Sequence, residues 1–213
     1  MRIELRKVTP EYIEKEKWKK SGIWEKSITI NKGEHLHIVA PSGTGKTSLI
    51  HFIYGLRKDF SGNVYYDDTD IKKLSTENFS SFRQNKISII FQDLRLFENQ
   101  TVRENIEIKR ILEPFHKTEE IDVMAKKLGI ENKLSQELKK CSYGEQQRIA
   151  IIRALMQPFD FLLLDEPYSH LDEENRKKAM GLIYEECAKR NAAMIFADLK
   201  PLDFFKDEKI IYL

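Results

Sequence analysis

The sequence predicts an α/β fold built on a parallel sheet, and three observations carry that prediction. Short apolar runs of strand character alternate with helical patterns along the chain. A glycine-rich turn, APSGTGKT, joins one of those runs (EHLHIVA) to a helical stretch (TSLIHFIYGL). A further run, FLLLDEP, sets four apolar residues before two acids, the pattern of a buried strand whose C-terminal edge meets a ligand.

Taken in order, residues 27–30 and 35–39 read as extended, 46–56 as helical, and 64–66 and 87–91 as extended again. Residues 102–156 are mainly helical in pattern, with Pro114 and Gly129 as breaks. Residues 161–164 are the buried-strand run, 173–190 a helix, and 193–196 and 210–213 strands. The stretch EYIEKEKWKKSGIW is charged enough to read as a solvated hairpin, with Trp24 at its end in the core. His35 and His37 flank Leu36 without a ligand pattern and are expected to be structural. Cys141 is expected to behave as a small buried hydrophobe.

Composition narrows the function classes. A length of 213 residues suits one domain, or one domain carrying a lobe. Apolar residues at 41% and charged residues at 33% allow a core beneath a well-solvated surface. The 36 basic and 34 acidic residues leave a net charge of +2, which gives no electrostatic footprint for nucleic acid. The N-terminus lacks the apolar stretch of a signal peptide, and no apolar run approaches a membrane span. Cys141 and Cys187 make neither a disulfide framework nor a metal-ligand spacing. A soluble, reduced, cytoplasmic chain is expected.

The glycine-rich turn asks for a phosphate. Small, permissive residues let consecutive amides point inward at phosphate oxygens, and Gly43 and Gly45 supply that freedom. The helix beginning near Lys46 adds its positive end. The candidate nucleotide-binding set is therefore Pro41, Ser42, Gly43, Thr44, Gly45, Lys46, Thr47 and Ser48. Lys46 would reach the β- and γ-phosphates, and the Thr47 hydroxyl would ligate magnesium. In FLLLDEP, Asp165 would hold magnesium through water and Glu166 would polarise the attacking water. A third motif, CSYGEQQRIAIIRAL, opens a helix with the Ser142–Glu145 spacing of a capping box, followed by Ile149, Ile152 and Leu155 at helical intervals. Such an end is an anion receptor as well as an ordinary cap.

In the order APSGTGKT, IIFQDLRLFENQTVRENIEI, CSYGEQQRIAIIRAL, FLLLDEPYSHLD, these motifs run over almost the whole chain and resemble the ATP-binding cassette (ABC) ATPases. The small cassettes of the lipoprotein-release, macrolide-export and cell-division type look most similar. The resemblance implies a P-loop NTPase (RecA-like) core with a parallel sheet, an N-terminal antiparallel β-subdomain and an inserted α-helical signature subdomain. It divides the chain into residues 1–98, 99–157 and 158–213, the middle part being the lobe. It implies ATP and Mg2+ as cofactors, with Thr47, Gln92 and Asp165 at the metal and Glu166, Gln92 and Asp198 as catalytic residues. Ser142, Gly144 and Glu145 would close over ATP held by a second, identical or different, cassette in a head-to-tail dimer. Residues 169–172 match the loop that passes between the two sites, and Asp172 can also cap the following helix. The aromatic that stacks on adenine is expected upstream of the loop, with Tyr12 and Trp18 as candidates. A separate transmembrane permease would hold the chain peripherally on the inner face of the membrane, docking near Gln92.

The chain departs from the family pattern at several points. Ala40 replaces the first loop glycine, Cys141 a leucine and Tyr143 the first signature glycine. Asp198 aligns, within one residue, with the histidine that bonds the γ-phosphate in the family, and a carboxylate there would repel phosphate. Other functions share these motifs. A cassette that transmits a signal through a membrane protein uses the same parts. A soluble DNA-repair-type ATPase would carry heptads or cysteine pairs between residues 50 and 140, which are missing. A small-molecule kinase would not need CSYGEQQR.

Overall fold

The computed structural model describes residues 1–213 apart from 15, 17, 19 and 202–208. It opens with a strand, β1 (Arg2–Pro10), paired antiparallel with β2 (Ser27–Asn31) and with β4 (Phe60–Tyr66), which turns into the short β5 (Thr69–Asp70). This sheet has the order β2-β1-β4-β5. The strand character of β1 escapes a simple period-2 reading for a physical reason. Ile3 and Leu5 point into the core, but the next buried apolar residue is Val8, an odd step away. A bulge between Arg6 and Thr9, with Lys7 in the left-handed region at φ 51°, absorbs the extra residue.

The second sheet is parallel, with the order β6-β7-β8-β3-β9. Its strands are β3 (His35–Val39), β6 (Ile87–Ile90), β7 (Phe161–Asp165), β8 (Ala193–Asp198) and β9 (Lys209–Tyr212). Register pairs Ile90 with Leu164, Leu164 with Phe196 and His37 with Phe196. Sheets of this kind are covered on both faces, which is why β6 and β7 are buried at every position.

The two faces feed two cores. Phe161, Leu163 and Ile195 point toward α1 (Lys46–Ile53) and the antiparallel sheet, where Ile3, Leu5 and Val64 complete one cluster. Leu162, Leu164 and Phe196 point the other way, into a cluster with α3 (Val102–Leu112), α4 (Glu119–Lys127), α5 (Tyr143–Leu155) and α6 (Glu173–Arg190). Side chains one residue apart thus belong to different cores, as the pleat requires. Each such leucine contributes about 2 kcal/mol by leaving water.

The helix ends are locally encoded. Thr101 and Glu104 form a capping box on α3, and Asp172 accepts the Asn175 amide to start α6. Helix α1 is shorter than its pattern suggests. Gly55 turns left-handed at φ 72°, and the Leu56 amide bonds back to the His51 carbonyl at 2.9 Å, which ends the helix. Helix α2 (Thr76–Asn85) is not legible from periodicity, because Phe79 is the residue it buries. Among the described residues, the predicted hairpin before Trp24 has no strand and runs as turns and bends. Trp24 is 1% exposed and packs edge-on to Phe52. His37 and His35 stack on Phe196 and Tyr184 in structural positions, and Cys141 is buried with its thiol pushed up by burial.

A buried ionic network ties α6 to the connection between α3 and α4. The Glu186 carboxylate meets His116 Nε2 at 2.6 Å and Lys189 Nζ at 2.7 Å, and it pairs with Arg190. Arg190 also donates to the Leu155 carbonyl at 2.9 Å and stacks over Phe115 and Phe159.

Candidate active site

Strand β3 delivers the chain to the phosphate loop at the C-terminal edge of the parallel sheet. Gly45 caps α1 in the left-handed region at φ 104°, and a Cβ there would lie 3.0 Å from the Trp24 ring and 3.1 Å from Ile13. Both the conformation and the space demand glycine. Lys46 follows at the first helical position, 4% exposed. Its ammonium lies inside the loop, donating to the Ala40 carbonyl at 2.8 Å and the Pro41 carbonyl at 3.0 Å, and stands 3.4 Å from Glu166 Oε1. Thr44 closes the turn by donating its hydroxyl to the Pro41 carbonyl at 2.8 Å.

Strand β7 brings Asp165 alongside. Asp165 Oδ1 accepts the Thr47 hydroxyl at 3.2 Å, while Oδ2 is buried with no hydrogen-bond partner. Burial pushes the carboxyl up to about 6; the Thr47 hydrogen bond opposes this and the Glu166 charge adds to it. The Thr47 hydroxyl also lies 3.4 Å from Gln92 Oε1. It has one proton, so it can donate to one of the two at a time. An orphaned carboxylate oxygen beside a hydroxyl and an amide oxygen is a donor set that suits a hard cation.

Gln92, in the turn after β6, donates Nε2 to Glu166 Oε2 at 3.2 Å. Glu166 itself sits in the left-handed region at φ 46°, with its amide bonded to the Ala197 carbonyl at 2.9 Å. That uncommon backbone turns its side chain from the strand edge toward Lys46. Asp198 ends β8, next to the loop: its backbone carbonyl accepts the Ala40 amide at 3.1 Å. Burial raises its carboxyl above the usual range; the Leu199 amide bonded to Oδ1 opposes this, and the Glu166 charge adds to it.

A cleft of about 390 Å³ is bounded by Tyr12, Ile13, Ser42, Gly43, Gly45, Lys46, Thr47, Ser48, Gln92 and Glu166, and Asp165 lines an adjoining pocket that shares Thr47 and Gln92 with it. A larger cavity of about 510 Å³ lies between β2, β3 and Lys209; Glu34, His35 and Lys209 line it, but none of the phosphate-loop residues does. Of the two aromatic candidates, the structure separates Tyr12 from Trp18. Tyr12 borders the cleft, 47% exposed, bonded through its hydroxyl to Ser48, with Arg57 stacked 4.2 Å above its ring. Trp18 is 8% exposed in the core and donates to the Ile13 carbonyl at 3.1 Å. The expectation that Trp18 could offer a platform is therefore corrected.

Ser142, Gly144 and Glu145 do not line that cleft among the described residues. The capping box is present: the Ser142 hydroxyl accepts the Glu145 amide at 3.4 Å, and the Glu145 carboxylate accepts the Ser142 amide at 2.7 Å. Glu145 also pairs with Lys133 at 3.2 Å, which offsets its charge at the helix end. Gly144 approaches the 169–172 loop so closely that a Cβ would lie 3.2 Å from the His170 carbonyl. Tyr143 occupies the first turn of α5 and is not among the residues with positive φ. Sequence reasoning missed Gln147. It is 1% exposed, accepts the His170 amide at 3.2 Å and reaches the Glu166 carbonyl and the Ser169 hydroxyl at 3.5 and 3.4 Å. Its signal in the sequence is a polar residue on the buried side of α5.

Comparison with known proteins agrees with this geometry. Residues 25–169 match the family model described as ABC transporter. The chain is 34% identical over 191 residues to the lipoprotein-releasing system ATP-binding protein LolD of Buchnera aphidicola subsp. Schizaphis graminum (strain Sg), covering 87% of this chain and 82% of that protein. It is also 34% identical over 180 residues to the phosphonates import ATP-binding protein PhnC of Fusobacterium nucleatum subsp. nucleatum, covering 79% and 72%. Its fold superposes on the dimeric structure of MJ0796, a bacterial ABC transporter cassette, with a TM-score of 0.79 and 28% identity over 99% of this chain and 94% of that one. A post-hydrolysis dimer of the same cassette bound to ADP and Pi gives a TM-score of 0.77 and 25% identity, over 93% and 88%. The chain belongs to the ABC transporter family, as an ATP-binding, ATP-hydrolysing subunit.

Proposed function

We propose that two such cassettes sandwich two ATP molecules head to tail, each nucleotide gripped by the Lys46 loop of one chain and sealed by the Ser142 end of α5 in the other. One observation carries the reading. Thr47, Gln92 and Glu166 share one cleft with Lys46, and Asp165 is bonded to Thr47 in the adjoining pocket, while the capped end of α5 lies outside both, available to another chain. Mg2+ would be held by Thr47, Asp165 and Gln92, where it would neutralise charge on the phosphates. Lys46, already inside the loop, exchanges carbonyl partners for phosphate oxygens. Gln92 orients water, and Glu166 accepts its proton as the water oxygen bonds to the γ-phosphorus and the bond to the β,γ-bridging oxygen breaks, leaving ADP and phosphate. The first-turn amides of α5, with the Ser142 hydroxyl and the close-packed Gly144, present donors to an anion from the neighbour. Tyr12 offers its ring to the base.

Closure swings residues 99–157 against the rest of the chain, and this motion is passed to a separate membrane-spanning subunit docked beside Gln92. No helix among the described residues is long and apolar enough to cross a membrane, so the chain would be held there peripherally by that subunit, on the inner face. The test is the mass in solution of Glu166→Gln with and without ATP and Mg2+. Slowed hydrolysis should trap a nucleotide-dependent dimer. A species that stays monomeric at high concentration with both present contradicts the sandwich.

A further inference from the structure

The loop that carries Gln92 is gripped at two points by a single helix, α5. Downstream, Arg153 donates to the Leu94 and Arg95 carbonyls, both at 2.6 Å, and those two residues hold left-handed backbone at φ 57° and 49°. Upstream, the Tyr143 hydroxyl donates to the Gln92 carbonyl at 3.2 Å. The Tyr143 ring rests edge-on against His170 with centroids 4.3 Å apart, and His170 Nδ1 lies 2.9 Å from the Ser169 hydroxyl. The two grips differ in kind. Arg153 is 9% exposed and its bonds are charge-assisted, so this one is a fixed anchor. Tyr143 is 43% exposed and its bond is neutral, so this one is easily made and broken.

Gln92 is therefore held from two sides. Its carbonyl faces Tyr143, at the helix end offered to a neighbour, while its side-chain amide faces Thr47 and Glu166 in the chain's own cleft. We propose that Tyr143 is a positioning residue for hydrolysis: its hydroxyl fixes the Gln92 backbone so that the side-chain amide stays aimed at Thr47 and Glu166. Engagement of the α5 end by a neighbour is thereby felt in this chain's own site. The inference rests on the assignment of Gln92 proposed above.

Tyr143→Phe keeps the ring against His170 and removes the hydroxyl. The expected result is a kcat for ATP hydrolysis lowered roughly three- to tenfold, the worth of one neutral hydrogen bond, with KM for ATP and the melting temperature unchanged. On a Gln92→Ala background the same substitution should add less than about a twofold further loss, because both changes break one path. A wild-type rate in Tyr143→Phe overturns the proposal. So does a full additional loss on the Gln92→Ala background, which would place the effect of Tyr143 at the neighbour instead. Gln92→Ala also separates the two levels of failure. If that variant hydrolyses ATP normally, the assignment of Gln92 fails and the positioning role falls with it. If it is slow while Tyr143→Phe is not, the positioning role alone fails.

Discussion

The buried network at Glu186 gives a stability prediction whose size follows from the structure. Burial alone would push the Glu186 carboxyl up, but hydrogen bonds from His116, Lys189 and Arg190 outweigh it and hold the group at about 2 instead of 4.5. Because the folded-state value lies below the unfolded one, the stabilisation is complete above about pH 4.5 and is lost as the pH falls toward 2. A drop from 4.5 to about 2 corresponds to about 3 kcal/mol. The carboxylate is 1% exposed, so screening takes little away. Glu186→Gln removes the charge and leaves the Arg190 guanidinium, 3% exposed, without its counter-charge, a loss of about 3–5 kcal/mol at neutral pH. Urea unfolding of wild type and variant at pH 7 and at pH 2.5 measures it. The gap between the two proteins should be about 3 kcal/mol or more at pH 7 and shrink strongly at pH 2.5. Other carboxylates protonate in both proteins and cancel from the difference. A gap that is absent at pH 7, or equal at the two pH values, refutes the reasoning.

Three further outcomes are expected. Asp165→Asn should lower magnesium-dependent ATP turnover by at least ~100-fold. In chelator it should melt no lower than wild type, because the negative charge that burial disfavours is gone while the shape of the side chain is kept; a large destabilisation in chelator contradicts this. Asp198→His should raise turnover in a competent dimer by about an order of magnitude, since it removes a partly buried carboxylate lying near Glu166 and Lys46; an unchanged or lower rate argues against that charge conflict. Tyr12→Leu should weaken ATP binding about three- to tenfold while leaving inorganic triphosphate binding unchanged, and equal loss for both ligands removes Tyr12 from the base.

What the sequence revealed, and what it hid, follows from how local the encoding is. The phosphate loop was legible because its geometry resides in consecutive residues: Gly45 must turn left-handed against Trp24, and Lys46 and Thr47 follow directly. The caps at Ser142 and Asp172 were legible for the same reason. The strand β1 was obscured by its bulge at Lys7, and α2 by a surface of polar residues around Phe79. In the site, the pairing of Thr47 with Asp165 spans 118 residues, and it could be expected because each lay in a motif of its own. Gln147 and the hydroxyl of Tyr143 were hidden, since their partners, Ser169 and Gln92, are brought near only by the packing of α5 against β6 and α6. Tyr12 and Trp18 look alike in a charged stretch, and burial alone tells them apart.

The central claim is that one chain's Lys46 loop and another chain's Ser142 helix end face each other across the same nucleotide. A crystal structure of Glu166→Gln with ATP and Mg2+ tests it most directly. The expected result is a two-fold dimer in which the γ-phosphate over Lys46 accepts a hydrogen bond from Ser142 of the second copy. A structure with ATP seated on Lys46 and the α5 ends of both copies turned away from it contradicts the account.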